Sequence, residues 1–350
     1  MTLIPLAPIR RPTPRRARKT IGFTALWNTG NNFIGPIWQG ALETARELDA
    51  NLVAFTGRQG TMIRDRVRFA PGARGQISDA NLDAMIVISS GEEELRWLEG
   101  FGSLPFVTIA GSILAYPGIV ADNRSGVRAT MAHLIDEHNY SKIAFIKGAV
   151  EALDAIVRYE GYKEALAEFG IPVDQRLIVQ GDFSGESGAA AVKELLDGQI
   201  EFEAIVAAND NMALGAMAAL EERGRRVPYD VAVAGFDDAQ EASIATPPLT
   251  TVRQPLRDIG RRAVELALTG VRGQKAPREV LLPTELVVRQ SCGCFSDDVR
   301  QADSTLGAAA SAGAAISPRA TARISPIRLP KLCTFIVPCL SRRRFRRSPL

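Results

Sequence analysis

The sequence predicts an α/β fold of two doubly wound parallel-sheet lobes, and three observations carry that expectation. Short apolar runs alternate with segments of helical periodicity, the runs are apolar throughout rather than at every second residue, and the pattern occurs twice. Continuous apolar strands are those buried on both faces of a parallel sheet, and strand–helix–strand order is that of crossover units. At about 100–200 residues per domain, a chain of 350 residues with 46% hydrophobic content suits two lobes, each with its own core.

The first strand is expected in KTIGFTAL (19–26), followed by a loop holding Gly30, Asn31, Asn32 and Gly35. Ile37, Ala41, Leu42, Ala45 and Leu48 then recur at helical spacing, so a helix with one buried stripe is predicted over 37–48. NLVAFTG (51–57), DAMIVISS (83–90) and PFVTIAG (105–111) read as three further strands. Residues 61–80 scatter Arg64, Arg66, Arg68 and Arg74 among few apolar positions and read as a helix plus loop. The second set opens with a helix over 126–138 and runs through strands 141–148, 176–182, 202–208 and 230–238. Between these lie helices over 155–169, 187–196 and 211–223. After PPLTTVRQP come a helix over 256–268 and two last strands, REVLLP (278–283) and TELVVRQS (284–291). Such a tail cannot bury its apolar face alone, so these elements are expected to be shared with the lobes.

The net charge of +3 conceals a segregation. Residues 1–20 carry six basic side chains and no acidic one, and residues 301–350 carry nine against Asp303 alone, leaving −11 over 21–300. Residues 1–19 are expected to form a basic disordered arm. Residues 296–350, rich in Ala, Ser, Pro and Arg without period, are expected to be a disordered tail. Four cysteines cannot build a disulfide framework, no export signal precedes the first strand, and no apolar run approaches the roughly 20 residues of a membrane span. A cytoplasmic protein with no membrane contact is the expectation.

Ligands of open parallel sheets bind outside the carboxyl ends of the strands, so polar residues there are the site candidates. Trp27 and Asn28 end the first strand, with Asn32 and Phe33 in the loop beyond. Asp122–Asn123, Asn209–Asp210 and Asp237–Asp238 end later strands, Arg158 lies near the start of a helix, and Gln254 closes TTVRQP. Acceptors and donors of these types converging on one crevice suit a polyhydroxylated small molecule, with Phe33 or Trp27 covering a sugar face. The competing reading is that an Asp or Asn between strand and helix is an N-cap. That role is expected for Asn123, Asp210 and Asp238, which leaves Asp122, Asn209 and Asp237 for the ligand. Arg158 alone would be a surface arginine.

DNRSGVRATMAHLIDEHNYSKIAFIKG, RYEGYKEALAEFG, AANDNMALGAMAALEERGRRVPYDVAVAGFDD and PPLTTVRQP together resemble, in order and spacing, the effector-binding core of the LacI/GalR transcriptional regulators. The likeness runs from about residue 19 to 290. It implies a fold similar to the type I periplasmic binding proteins, two lobes joined by three crossovers, with an N-lobe of 20–139 plus 255–272 and a C-lobe of 140–254 plus 273–295. Carried over by position, Asp122 and the Asn32–Phe33 loop would face the effector from one side, and Arg158, Asn209, Asp237 and Gln254 from the other. The implied function is sensing a sugar or sugar derivative by a shift between open and closed states, in a homodimer.

A regulator of that family begins with a helix-turn-helix headpiece, and the twenty residues before the first strand are too few for one. The basic arm, with Arg15, Arg16 and Arg18, is expected at most to hold phosphates without sequence preference. Cys292 and Cys294 in VVRQSCGCF read as too few for a zinc site, and His133 and His138, five apart on the predicted helix, would not share a face, so no metal is expected. VVRQSCGCF also resembles sensors that precede a separate signalling output, so an input domain that has lost its output is one alternative. A periplasmic solute-binding protein is another. An enzyme is not expected. No Walker loop or strand-bound Gly-x-Gly-x-x-Gly occurs, the two histidines leave no base for a nucleophile, and no cofactor is implied.

Overall fold

The structure, a computed structural model, describes residues 18–25, 33–56, 82–88, 104–110 and 116–294. They fall in one unit, Met1–Ser304. The first strand, β1 (Thr20–Ala25), starts a parallel sheet with β2 (Asn51–Thr56), β3 (Ala84–Ile88), β4 (Phe106–Ile109) and β5 (Gly118–Ala121), ordered β5-β4-β3-β1-β2. Every residue of β3 and of β4 is buried. Since neighbouring residues of a strand point to opposite faces, both faces are covered, which is why the runs are apolar without alternation.

On one face α1 (Ile34–Glu47) packs against a later helix, α7 (Leu256–Val271). Ile37, Ala41 and Ala45 of α1 meet Ile259, Ala263 and Ala267 of α7 over Ile21, Phe23, Ile86 and Val107. The two helices approach at Gly40 and Gly260, where an added Cβ would run into the backbone carbonyls of Arg257 and Ile37. The helix begins three residues before the predicted 37, because Pro36 is tolerated within a first turn, where its missing N–H has no intrahelical partner.

The second sheet is ordered β7-β6-β8-β9, from β6 (Ile143–Lys147), β7 (Ile178–Gln180), β8 (Ala204–Ala207) and β9 (Ala232–Ala234), all pairs parallel. It is covered by α2 (Asn123–Asp136), α3 (Leu153–Glu168), α4 (Gly185–Asp197) and α5 (Asp210–Glu222), with α2 against α3 and α4 against α5. A short α6 (Gln240–Ile244) and β10 (Thr251–Arg253) complete it, and neither was expected from the sequence. β10 pairs antiparallel with β12 (Glu285–Val287), and bridges from Ala234 to Thr250 and from Asp237 to Arg253 carry it beside β9.

Two expected lobe assignments are corrected. Helix α2 buries Val127, Met131 and Leu134 in the core of the second sheet, so the chain leaves the first sheet at Asp122, not near residue 139. Strand β11 (Glu279–Leu282) pairs with β5, as the outer strand of the first sheet, so these residues do not stand with 140–254. A four-residue apolar strand fits any open parallel edge, and its own sequence does not choose one. The two bodies are thus joined by three crossings, at Asp122, at Gln254 and at 283–284, as the likeness implied. The Asp122 amide donates to the Leu282 carbonyl at 2.8 Å and the Thr284 hydroxyl donates to the Asp122 carbonyl at 2.9 Å, which stitches the first crossing to the third. Among the described residues no helix is long and apolar enough to cross a membrane. The expected helix and loop at 61–80, the arm apart from Arg18 and Lys19, and the tail lie outside the described residues.

Candidate functional site

The carboxyl ends of the second sheet hold a buried polar network assembled by four segments. Arg158 rises from α3 with only 3% exposure. Its Nε donates to Asn123 Oδ1 at 2.8 Å, its Nη1 donates to the Ala208 carbonyl at 2.6 Å, and that same nitrogen is 3.5 Å from Asp237 Oδ1. The guanidinium lies flat over the Phe236 ring, Cζ 3.8 Å from its centroid. Gln254, in the second crossing, donates through Nε2 to Asp237 Oδ1 at 2.7 Å, and Asn123 donates through Nδ2 to Asp154 Oδ1 at 2.8 Å. The chain of contacts is therefore Asp154, Asn123, Arg158, Asp237 and Gln254. No hydrogen bond from Arg158 Nη2 runs to a described residue.

The charges explain why the residues come together. A guanidinium this buried is costly unless paired and hydrogen-bonded, and it finds both here. Burial pushes the Asp237 carboxyl above the ordinary carboxylate range, opposed by Arg158 and by the Gln254 hydrogen bond. Asp154 is raised by burial and opposed by Arg158 and Asn123. Asp210 is raised by burial and by the Asp237 charge, although Thr251 donates to it at 2.5 Å and the Ala239 amide at 2.7 Å. Asp237 has φ +123° and Asp238 φ +57°, conformations that L residues seldom adopt. The turn after β9 thus holds Asp237 in a strained pose, fixed by the hydrogen bond its backbone amide donates to the Val252 carbonyl at 2.8 Å. Asp237 and Gln254 open onto a cleft of about 630 Å³ that also takes in Gly35, Pro36 and Gln39 of α1, within the size range of small-ligand sites.

Of the predicted residues, Arg158, Asp237 and Gln254 are in direct contact, and Asn209 follows the carbonyl that Arg158 holds. The capping assignment is corrected at each pair. Asp122 caps α2, its Oδ1 accepting from the Ser125 amide at 3.0 Å, and Asn209 caps α5, accepting from the Met212 amide at 3.0 Å. An N-cap side chain folds back on the third helical amide, so the residue after it is the one turned inward. Asn123 and Asp210 are those inward residues, and Asp238 is an ion-pair partner of Arg253 and Arg289 at 2.7 and 2.5 Å. Asn209 also donates to the Phe183 carbonyl at 3.0 Å. Phe33 lies half-buried at the start of α1, packed on the first core. Asn32, Trp27, Asn28, Arg15 and Arg16 lie outside the described residues. Arg18 is ion-paired with Asp49 at 2.6 Å, at the amino end of β1.

Asn123, Asp154 and Phe236 were missed. The trace of Asn123 in sequence is its place after a strand-end Asp, that of Phe236 is its place inside VAGFDD, and Asp154 leaves none. The expectation that His133 and His138 stand on different helix faces is also corrected. Helix α2 ends at Asp136 and the chain turns through Asn139 at φ +57°, bringing the two rings to 5.1 Å.

With this geometry in place, comparisons with known proteins are informative. The family model of the periplasmic binding protein-like domain matches residues 131–292. The chain is 32% identical over 287 residues to the HTH-type transcriptional regulator CelR of Thermobifida fusca, covering 79% of this chain and 82% of that protein. It is 34% identical over 227 residues to the HTH-type transcriptional repressor MelR of Bacillus subtilis (strain 168), covering 62% of this chain and 65%, less than two thirds, of MelR. Among solved structures, the CelR–cellobiose complex matches with a TM-score of 0.70 at 30% identity, covering 80% of this chain and 86% of that one. The lac repressor dimer bound to operator and the anti-inducer ONPF also matches at 0.70, with 26% identity, 79% of this chain and 94% of that one.

Proposed function

The chain belongs to the LacI/GalR family of transcriptional regulators, and on that premise we propose that it senses a sugar or sugar derivative gripped in the cleft beside Asp237. The observation that carries this reading is the Arg158–Asp237–Gln254 network, buried beneath the cleft and held by three separate segments. Asp237 accepts from effector hydroxyls, and the spare Arg158 nitrogen and Gln254 donate to others. Asn209 contributes its remaining amide proton, and Asp122, Phe33 and, by the family likeness, Asn32 are the contacts proposed for the other side of the effector. CelR is solved with cellobiose, which makes a β-linked glucose disaccharide the first ligand to try.

An effector touching both bodies favours the closed arrangement only by its excess affinity for it, and that difference is the signal. The chain acts as a homodimer paired through the first body, and DNA is its downstream partner, as with the operator-bound lac repressor dimer. The basic residues Arg15, Arg16 and Arg18 add a salt-sensitive, sequence-independent attraction to phosphates.

The test is calorimetry and thermal shift of the full chain against a panel of mono- and disaccharides that includes cellobiose. Asp237→Asn keeps the Gln254 bond but removes the charge, and it is expected to lose about 2–4 kcal/mol of binding, roughly 30- to 1,000-fold. Undiminished affinity in that variant would remove the cleft assignment. Arg158→Ala is a poorer probe, since Asn123, Ala208 and Phe236 all rely on that side chain.

A further inference from the structure

Away from the cleft, a second set of chemistry-bearing side chains converges. His133 and His138 are the chain's only histidines, and Cys292 and Cys294 are two of its four cysteines. Their four donor atoms all lie within 4.8 Å of one another. His133 Nε2 is 3.4 Å from Cys292 Sγ and 3.6 Å from Cys294 Sγ, and His138 Nε2 is 3.5 Å from Cys294 Sγ. In a tetrahedral zinc site, with bonds of about 2.3 Å to sulfur and about 2.0–2.1 Å to nitrogen, the sulfur–nitrogen edge is about 3.5 Å. Those three separations match that edge.

The local backbone supports the convergence. Gly293, between the cysteines, has φ +110°, and an added Cβ there would press on the His138 ring at 3.3 Å, so a glycine lets both sulfurs turn to one side with the imidazole close above. Tyr140 stacks on His138 at 5.5 Å and fixes its ring. Cys292 is fully buried, while Cys294 and both histidines are half-buried, so an ion has a way in.

We propose that His133, His138, Cys292 and Cys294 form a Cys2His2 site for a structural zinc ion that pins the segment after β12 to the end of α2. Two thiolates with two imidazoles are a donor set that suits zinc, and four protein donors leave no open position for catalysis. Binding releases the two thiol protons to solvent, leaving two thiolates and two neutral imidazoles around a divalent cation with no net charge. The clamp lands on a segment already tied inward, since the Ser291 hydroxyl donates to the Val233 carbonyl at 2.6 Å and accepts from the Thr250 amide at 2.8 Å. It lies at the opposite end of α2 from Asn123, so it stands or falls separately from the effector reading.

The test uses the full chain without a histidine tag, purified without chelator. Elemental analysis is expected to give about one zinc per chain. Replacement by cobalt is expected to give the intense visible bands of tetrahedral cobalt and a thiolate charge-transfer band in the near ultraviolet. Cys294→Ser and His138→Gln, both half-buried positions, are each expected to weaken zinc binding by at least about 100-fold. Stripping the parent chain with a chelator is expected to lower its melting temperature, a readout that holds if either variant fails to fold. Absence of both zinc and the cobalt bands in the parent would overturn the proposal. So would zinc retained in both variants, or a Cys292–Cys294 disulfide as the resident form under reducing purification.

Discussion

Asp210 is a carboxyl group that the fold holds away from water, beneath the strained turn that presents Asp237. Its folded pKa is raised, by burial first and by Asp237 second, so it keeps a proton that the unfolded chain would release. Stability is therefore full below the ordinary carboxylate range and is lost as pH rises toward the folded value. Asp210→Asn can keep both neighbours, its oxygen accepting from the Ala239 amide and its nitrogen donating to the Thr251 hydroxyl. The parent's melting temperature is expected to fall between about pH 5 and about pH 8, and that of Asp210→Asn to fall less. Equal slopes would show that this carboxyl does not bear the penalty. At this scale, sequence reading named Arg158, Asp237 and Gln254 from their positions beside strand ends and from a family likeness, and the structure brings them into contact. It reversed the caps in the pairs before α2 and α5, since which of two adjacent polar residues caps a helix depends on a one-residue shift in where the helix begins. The histidine–cysteine convergence was illegible because about 160 residues separate its halves and a helix end had to fall between the histidines.

Element by element, legibility followed length and burial. β3, AMIVI, is buried at every residue and could be read directly. β10 has three residues, one of them exposed, and no period at all. The paired helices α1 and α7 were each legible, but their contact was not, since it rests on two glycines far apart in sequence. Gly260→Ala is expected to cost about 1–3 kcal/mol through forced separation of the helices, outweighing the gain of up to about 1 kcal/mol from alanine's helix propensity. Urea denaturation checks this, and a variant as stable as its parent would refute the close approach. Which body a helix joins was equally hidden: α2 follows a strand of one sheet and buries its stripe in the other, and its sequence is compatible with both.

At the scale of the whole molecule, neither body is a contiguous stretch of chain. The second sheet's core draws on Val127, Met131 and Leu134 before it and on Cys292 after it. A fragment of residues 140–254 is therefore expected to lack a cooperative thermal transition, while the full chain shows one by circular dichroism. A sharp transition in the fragment would mean that the flanking pieces are ornament. Finally, the three crossings are bonded to each other, Asp122 to Leu282 and Thr284 on one side and β10 to β12 on the other. Strands laced into a ribbon resist sliding and twisting far more than they resist flexing. A laced seam of that kind opposes swinging about its own length least, in the manner of a long piano hinge.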